Sequence, residues 1–261
     1  MSRPADADAG VALVAAVVAL GTMSLLAVGL AYTSVTDQRL TQNALAALQA
    51  EALARSAVTA AVVLLDERGD ADQPDTLRSS WARDIGAQPL GAGRVEVRIE
   101  DEARRLDVNA VELRDAVRRL LATAGVDPRG ATAPNAPPML LGVGELLSGV
   151  DAAATTRLRR QLTAAGEPRV NPNTASREVL LALLQDPAVV ERLLAERAHA
   201  PIAFDGLPAE VQPRLTSRGQ HYTVRVAASV GQVRRAVEAT IEAPGGATGE
   251  VVAWRLVVPD A

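Results

Sequence analysis

Residues Val11 to Ala31 read VALVAAVVALGTMSLLAVGLA, and no charged residue occurs between Ala9 and Thr36. As an α-helix this stretch spans about 32 Å at about 1.5 Å per residue, close to the roughly 30 Å thickness of the hydrocarbon core of a bilayer. The sequence therefore predicts a transmembrane helix near the amino terminus.

The predicted helix continues well beyond the apolar residues. No glycine or proline occurs between Ala31 and Arg68, and this segment is rich in alanine and leucine, which are strong helix formers. Its apolar residues recur at helical spacing with polar residues between them. We expect one helix over residues 11–66, with its first half in lipid and its second half on a soluble domain, ended by Gly69 and the acidic loop around it.

A secretory signal peptide is the alternative interpretation of the apolar stretch. Ala27, Gly29 and Ala31 are small residues of the kind that precede a cleavage site. The apolar region of a signal peptide is normally shorter, at about 7–15 residues, and the helical pattern here continues without a break. A retained anchor is therefore favoured, whereas cleavage near Ala31 would leave a secreted soluble protein.

The composition excludes several classes of site. The chain has no cysteine, so disulfides, thiolate catalysis and cysteine-ligated metals are excluded. Its two histidines, His199 and His221, are far apart in sequence, which argues against a histidine-based site. A net charge of −4 argues against broad nucleic-acid binding. Because the sequence also lacks a phosphate-binding loop and a nucleophile elbow, we expect no enzymatic activity.

Alternating apolar residues predict strands on both sides of a helical region. The segments with this alternation are 94–101, 221–229, 233–243 and 251–258. Residues 107–215, called the helical block below, instead read as helices joined by polar or proline-rich turns. We therefore expect an α+β fold, with a long N-terminal transmembrane helix, an antiparallel sheet and an inserted all-helical domain.

Several helices of the block begin at residues that commonly cap helices. Asn109 is followed three residues later by Glu112, which is close to a capping box. Asp186 stands directly before Pro187, as expected for the first residue of a helix. The expected caps are Asn109, Asp151, Asp186 and either Asn173 or Thr174.

A short polar leader, residues 1–10, ends in Gly10 directly before the apolar helix. This arrangement resembles the leader of prepilin-like proteins. The resemblance implies that a prepilin peptidase cleaves after Gly10 and methylates the new amine of Val11. Two features depart from the usual pattern. The leader has one arginine against two aspartates, and the fifth mature residue is Ala15, where most pilin-like proteins have glutamate.

Three further segments resemble one family, the minor pseudopilin of type II secretion called general secretion pathway protein K. They are residues 100–127, 140–163 and 169–183. The most specific part is the run from Asn171 through Asn173 and Thr174 to Ala175, which we interpret as a structural turn. The resemblance implies a pilin-like domain over residues 67–106 and 216–261, interrupted by an inserted helical domain over 107–215.

The same resemblance implies a place in an assembly. A member of this family is a single-pass protein of the bacterial inner membrane, with its C-terminal part in the periplasm. It is thought to sit at the tip of the pseudopilus, which fits Ala15, because a subunit with no neighbour above it has no use for the glutamate. The implied partners are the I-type and J-type minor pseudopilins, the prepilin peptidase and the inner-membrane secretion platform.

Calcium is the one cofactor that the resemblance implies, since some members bind it in their globular part. Asp101, Asp107 and Asp151 are scattered, and no regular loop of oxygen ligands occurs. The sequence therefore places no calcium ligands.

Two other functions stay open at this stage. A minor pilin of a type IV pilus would share the same anchor. A membrane-anchored helix-hairpin-helix protein would bind DNA through a glycine-containing turn, but residues 185–188 read QDPA, with an acid and no glycine. A cluster of arginines is best explained as solvated surface; it comprises Arg157, Arg159, Arg160 and Arg169.

Overall fold

The computed structural model describes residues 5–68, 73–84, 86–127, 140, 142–205, 207–244 and 248–258, with side chains from residue 11 onward. The helices in these ranges are α1 (Ala5–Asp66), α2 (Arg114–Thr123), α3 (Val143–Leu146), α4 (Ala152–Arg159), α5 (Arg177–Leu184) and α6 (Pro187–Glu196). The strands are β1 (Gln88–Leu90), β2 (Gly93–Asp101), β3 (Leu106–Asp107), β4 (Leu162–Thr163), β5 (His221–Val230), β6 (Val233–Glu242) and β7 (Glu250–Val257).

Five strands form one antiparallel sheet in the order β1-β2-β5-β6-β7. Strand β2 precedes the helical block and pairs with β5, which follows it; Val97 lies opposite Val226 at the centre of this pair. The chain thus leaves the sheet after β2 and returns to the adjacent position. The predicted α+β class, with a long apolar helix, an antiparallel sheet and intervening helices, is confirmed.

The second half of α1 packs on one face of this sheet. Its buried residues are mostly alanines at helical spacing, which let the helix approach β5 and β6 closely; they are Ala50, Ala54, Ala57, Val58, Ala61 and Leu65. The opposing buried side chains include Val224 and Val226 of β5 and Val237 of β6. The predicted end of the helix at Asp66 is confirmed, and its backbone begins earlier than predicted, at Ala5.

A second hydrophobic core lies within the helices that follow β2. Its largest fully buried side chains are leucines; α2, α4, α5 and α6 contribute Leu121, Leu158, Leu180 and Leu193, and β3 and β4 contribute Leu106 and Leu162. Short parallel pairings close this core, between β3 and β4 and between Val170 and Leu215. The division of the chain at residues 107 and 215 stays a prediction.

Two of the predicted helix caps are confirmed and two are wrong. Asp151 accepts backbone hydrogen bonds at the start of α4, and Asp186 does so at the start of α6. Asn109 caps no helix, because α2 begins at Arg114, and its amide instead bonds the carbonyls of residues 140 and 164. Ser176, rather than Asn173 or Thr174, caps α5.

Candidate functional site

The first half of α1 is a bare apolar rod. Val11 is 71 % exposed, and none of the most apolar 18-residue stretch is buried in the fold. The helix is long and apolar enough to cross a membrane. Gly10, Val11 and Ala15 all lie within α1, so the predicted cleavage point is in helix. Cleavage after Gly10 and methylation of Val11 stay predictions.

The helical block is attached at the end of the sheet that lies farthest from this rod. Gly93, at the start of β2, lies beside Leu53 of α1, and a Cβ at Gly93 would stand only 2.7 Å from the Leu53 side chain. The opposite end of the sheet lies at the end of α1, where Arg68 contacts Tyr222 of β5. Residues 32–66 of α1 extend about 52 Å beyond the apolar span at about 1.5 Å per residue. The block therefore lies tens of ångströms from any membrane that holds the rod.

A buried ion pair fastens the end of α1 to the sheet. Arg68 Nη1 lies 3.2 Å from Asp75 Oδ2, and both side chains are almost fully buried. Arg68 also donates to the carbonyl of Ala243 at 2.7 Å and stacks over the ring of Tyr222. Asp75 accepts further bonds from Trp81 Nε1 and from the Tyr222 hydroxyl. The charges are thus paired and hydrogen-bonded, as buried charges must be to persist.

The predicted asparagine-threonine turn contacts this ion pair through a second carboxyl group, that of Asp101. Asn171 Nδ2 donates to the Asp75 carbonyl at 3.2 Å and to Asp101 Oδ2 at 3.1 Å. Thr174 Oγ1 donates to the same Asp101 oxygen at 2.8 Å. Asp101 ends β2, whereas the turn lies within the helical block. We call the six residues Arg68, Asp75, Asp101, Asn171, Thr174 and Tyr222 the buried junction, because they join α1, the sheet and the block.

Burial raises the pKa of Asp101 from 3.8 to about 7. The hydrogen bond from Thr174 opposes this rise, and repulsion from Asp75 adds to it. The carboxyl group is therefore held largely protonated up to neutral pH. Gly219 is required beside it, since a Cβ there would stand 2.2 Å from Asp101 Oδ1. Burial and the neighbouring carboxylates likewise raise the pKa of Tyr222.

Asn173 and Arg197 hold the turn against the rest of the block. The backbone amide of Ile202 donates to Asn173 Oδ1 at 2.8 Å. Arg197 Nη1 donates to the carbonyls of Pro172 and Ala175, at 3.1 and 2.6 Å. The three predicted turn residues are therefore brought together, with Asn171 and Thr174 facing the sheet and Asn173 facing the block. Since all three are buried, this arrangement can join parts of the chain, but it offers no open ligand site.

The three scattered acids are not brought together. Asp101 lies in the buried junction, Asp107 accepts from the backbone amide of Asn109, and Asp151 caps α4. Within the described part of the chain, no three His, Asp or Glu side chains are placed to hold a metal ion. These residues therefore supply no ligand set for the calcium that the resemblance implies, which stays a prediction.

The two histidines are also separate. His199 is exposed just after α6, whereas His221 is half-buried at the start of β5.

The hairpin between α5 and α6 lacks the free amides that a phosphate group would need. Gln185 adopts a left-handed conformation, with φ of 59°. Asp186 Oδ1 accepts from the amides of Ala188 and Val189, at 2.9 and 3.2 Å. Because a carboxylate occupies the first amides of α6 and would repel phosphate, this hairpin gives no support to DNA binding.

Sequence reasoning missed Arg68, Asp75, Trp81 and Tyr222. The first two flank the acidic loop after α1, and nothing in their local pattern shows that they pair with each other or with β5. The available signal was the alternation of Tyr222 with Val224 and Val226, which points the ring inward, where its hydroxyl must find a partner.

No family model and no curated protein matches the sequence. The fold is similar to that of a chain in the crystal structure of the GspK-GspI-GspJ complex from the type 2 secretion system of enterotoxigenic Escherichia coli. The TM-score is 0.61 and the sequence identity is 15 %, over 87 % of this chain and 99 % of that chain. The likeness shows that the chain has a pseudopilin-like fold.

Proposed function

We propose that the chain is a minor pseudopilin at the tip of a type II secretion pseudopilus, where it helps initiate assembly and protein export across the outer membrane. The observation that most supports this is α1 itself, whose unburied apolar half continues without a break into the half that holds the sheet. Such a rod anchors the globular part of the chain, here called the head, to the inner membrane. It also offers an apolar surface to the helices of other pseudopilins. The head would then lie in the periplasm.

Small residues on the rod favour packing beside other subunits. Ala12, Ala15, Ala16 and Ala19 are exposed on α1, and small side chains let helices approach closely in lipid. A glutamate at position 15 would cost about 3 kcal/mol in the bilayer unless it were paired. Alanine at this position suits a subunit with no neighbour above it.

The position of the helical block supports placement at the tip. The block follows Asp101, at the end of the sheet that lies beside the end of α1, and so it adds bulk at the distal end of the molecule. Bulk at this end would hinder a further subunit from stacking above. The I-type and J-type minor pseudopilins are the partners that we propose, in line with the complex in which the similar chain was solved.

N-terminal sequencing of the membrane-extracted protein, with and without the prepilin peptidase, tests the processing step. We expect a methylated Val11 when the peptidase is present and an intact leader when it is absent or when Gly10 is replaced by valine. A freely soluble protein clipped near Ala31 would overturn the proposal.

Co-purification tests the assembly and separates it from the alternative of a type IV pilus minor pilin. We expect the full chain, extracted in mild detergent, to retain I-type and J-type minor pseudopilins when all three are co-expressed. Retention of type IV pilus subunits instead would favour the alternative.

A further inference from the structure

A groove on the surface of the helical block lies between α2, α4 and α5 and encloses about 600 Å³. Its floor is aliphatic, formed by the buried side chains of Leu120, Leu158 and Ala182 and by the half-buried Leu181. None of these residues belongs to the buried junction. We call this feature the arginine groove, after the side chains on its rim.

Three arginines and one glutamate line the rim: Arg119, Arg157, Arg177 and Glu178. Arg119 is held against the groove wall, because its Nε donates to the carbonyl of Ala182 at 2.7 Å. Burial lowers the pKa of Arg119, because its guanidinium is partly removed from water. With Glu191, which pairs with Arg177, three positive charges stand against two negative ones, which leaves an excess of one positive charge around an apolar floor.

The arginines differ in how far they are already neutralised. Arg177 Nε lies 2.6 Å from Glu191 Oε1, so this side chain has an acidic partner. Arg157, on the last turn of α4, forms no ion pair with any residue that the structure describes. A ligand carboxylate would therefore meet a free guanidinium at Arg157 and a fixed one at Arg119, next to a floor that accepts an aliphatic side chain.

We propose that the arginine groove binds a peptide segment in which leucine-like side chains stand next to acidic residues. The proposal rests on the proposed function only for the source of the segment, an exported protein that meets the tip. An anionic lipid has similar chemistry, but the block joins the sheet at the end of α1, about 52 Å of helix beyond the apolar span. A membrane that holds the rod is therefore too far away to supply the ligand.

Fluorescence anisotropy with the full chain in zwitterionic lipid nanodiscs tests the proposal. The probe is a labelled peptide, Asp-Leu-Leu-Glu-Asp-Leu-Leu, and its matched control is Asn-Leu-Leu-Gln-Asn-Leu-Leu; empty nanodiscs serve as the blank. We expect the acidic probe to bind about tenfold more tightly than the neutral one, the difference expected for one well-placed charge pair.

Two variants and one matched control separate the groove from general charge attraction. Arg157→Glu is expected to weaken binding of the acidic probe by about tenfold or more. Arg160→Glu makes the same charge change at the residue that directly follows α4, outside the residues that line the groove, and is expected to leave binding unchanged. Ala122→Trp fills the groove at an exposed position of α2 without changing the charge and is expected to abolish binding.

Each opposite outcome overturns the proposal. Equal weakening by Arg157→Glu and Arg160→Glu would show nonspecific attraction, and full binding to Ala122→Trp would show that the groove is not the site. A dimer of the full chain that dissociates on Arg157→Glu would identify a second copy as the occupant. If added anionic nanodiscs bound to the groove and displaced the probe, and added zwitterionic nanodiscs did not, the ligand would be a lipid. No partner pseudopilin is present in this assay. A lack of peptide binding would therefore overturn the peptide-binding proposal without bearing on co-assembly, which the co-purification tests.

Discussion

Replacement of Asp101 by asparagine tests whether the buried junction holds a carboxyl group that stays protonated up to neutral pH. Burial raises the pKa of Asp101 from 3.8 to about 7. Because the folded value lies above the unfolded one, the native state keeps a proton that the unfolded chain releases between about pH 4 and about pH 7. The stability contributed by this proton is fully present below about pH 4 and is lost as the pH rises through about 7.

The size of the effect follows from the difference in pKa. Each unit corresponds to about 1.4 kcal/mol, so a difference of about three units lowers the free energy of unfolding by about 4 kcal/mol between pH 4 and pH 8. Asparagine has the same shape but does not titrate. It keeps an oxygen for the amide of Ala103, while its own amide meets the amide of Asn171, which costs about 1–2 kcal/mol. We therefore expect the variant to be less stable than the parent in acid and more stable near pH 8.

Urea unfolding at a series of pH values, with the full chain in detergent micelles, measures this crossing. Trp81 is a reporter within reach of the junction, since its ring lies 5.3 Å from that of Tyr222. Trp254→Phe in every sample removes the other tryptophan. Asp84→Asn, at a side chain that is 68 % exposed, is the matched control. Parallel pH curves for Asp101→Asn and its parent would show that the native carboxyl group is ionised and that the burial argument is wrong.

Three further substitutions test the contacts around this group in the same assay. Thr174→Val removes the hydroxyl donor that lies 2.8 Å from Asp101, and it should lower the free energy of unfolding by about 1–2 kcal/mol. The pH transition should move upward, because the ionised form of Asp101 loses a hydrogen bond. A downward shift would contradict this. Gly219→Ala places a Cβ 2.2 Å from Asp101 Oδ1, and we expect a loss of about 1–3 kcal/mol; full stability would show that the loop moves freely. Arg68→Met leaves Asp75 buried without its cation and should lower the free energy of unfolding by about 3–5 kcal/mol at neutral pH. Unchanged stability would mean that Asp75 is solvated.

The first half of α1 could be predicted from the sequence because its signal is local. An uncharged stretch of this length has one low-energy environment, a bilayer, and one low-energy form within it, a helix. Strands β2, β5, β6 and β7 were predictable for the same reason, since each is a run of alternating residues, whereas the short strands β1, β3 and β4 have no such run. Asp151 and Asp186 were identified as caps because a cap bonds amides only two or three residues away.

The errors in the block have a physical cause in tertiary contacts. Asn109 has the local pattern of a cap, but its amide bonds carbonyls 31 and 55 residues away. Asn173 bonds the amide of Ile202, so Ser176 is left to cap α5. When a side chain can bond either a nearby amide or a distant group, tertiary packing decides which partner it takes. A local sequence pattern carries no information about that packing.

The sequence by itself determined an apolar rod, an antiparallel sheet and a helical insertion between two of its strands. Only the tertiary structure attached that insertion at the end of α1 and joined it there through the buried junction. The bonds of the junction connect Arg68 to the carbonyl of Ala243, 175 residues later in the chain, and Asp101 to Thr174, 73 residues later. Burying polar groups is costly unless each finds a partner, and the identity of that partner depends on how the whole chain folds.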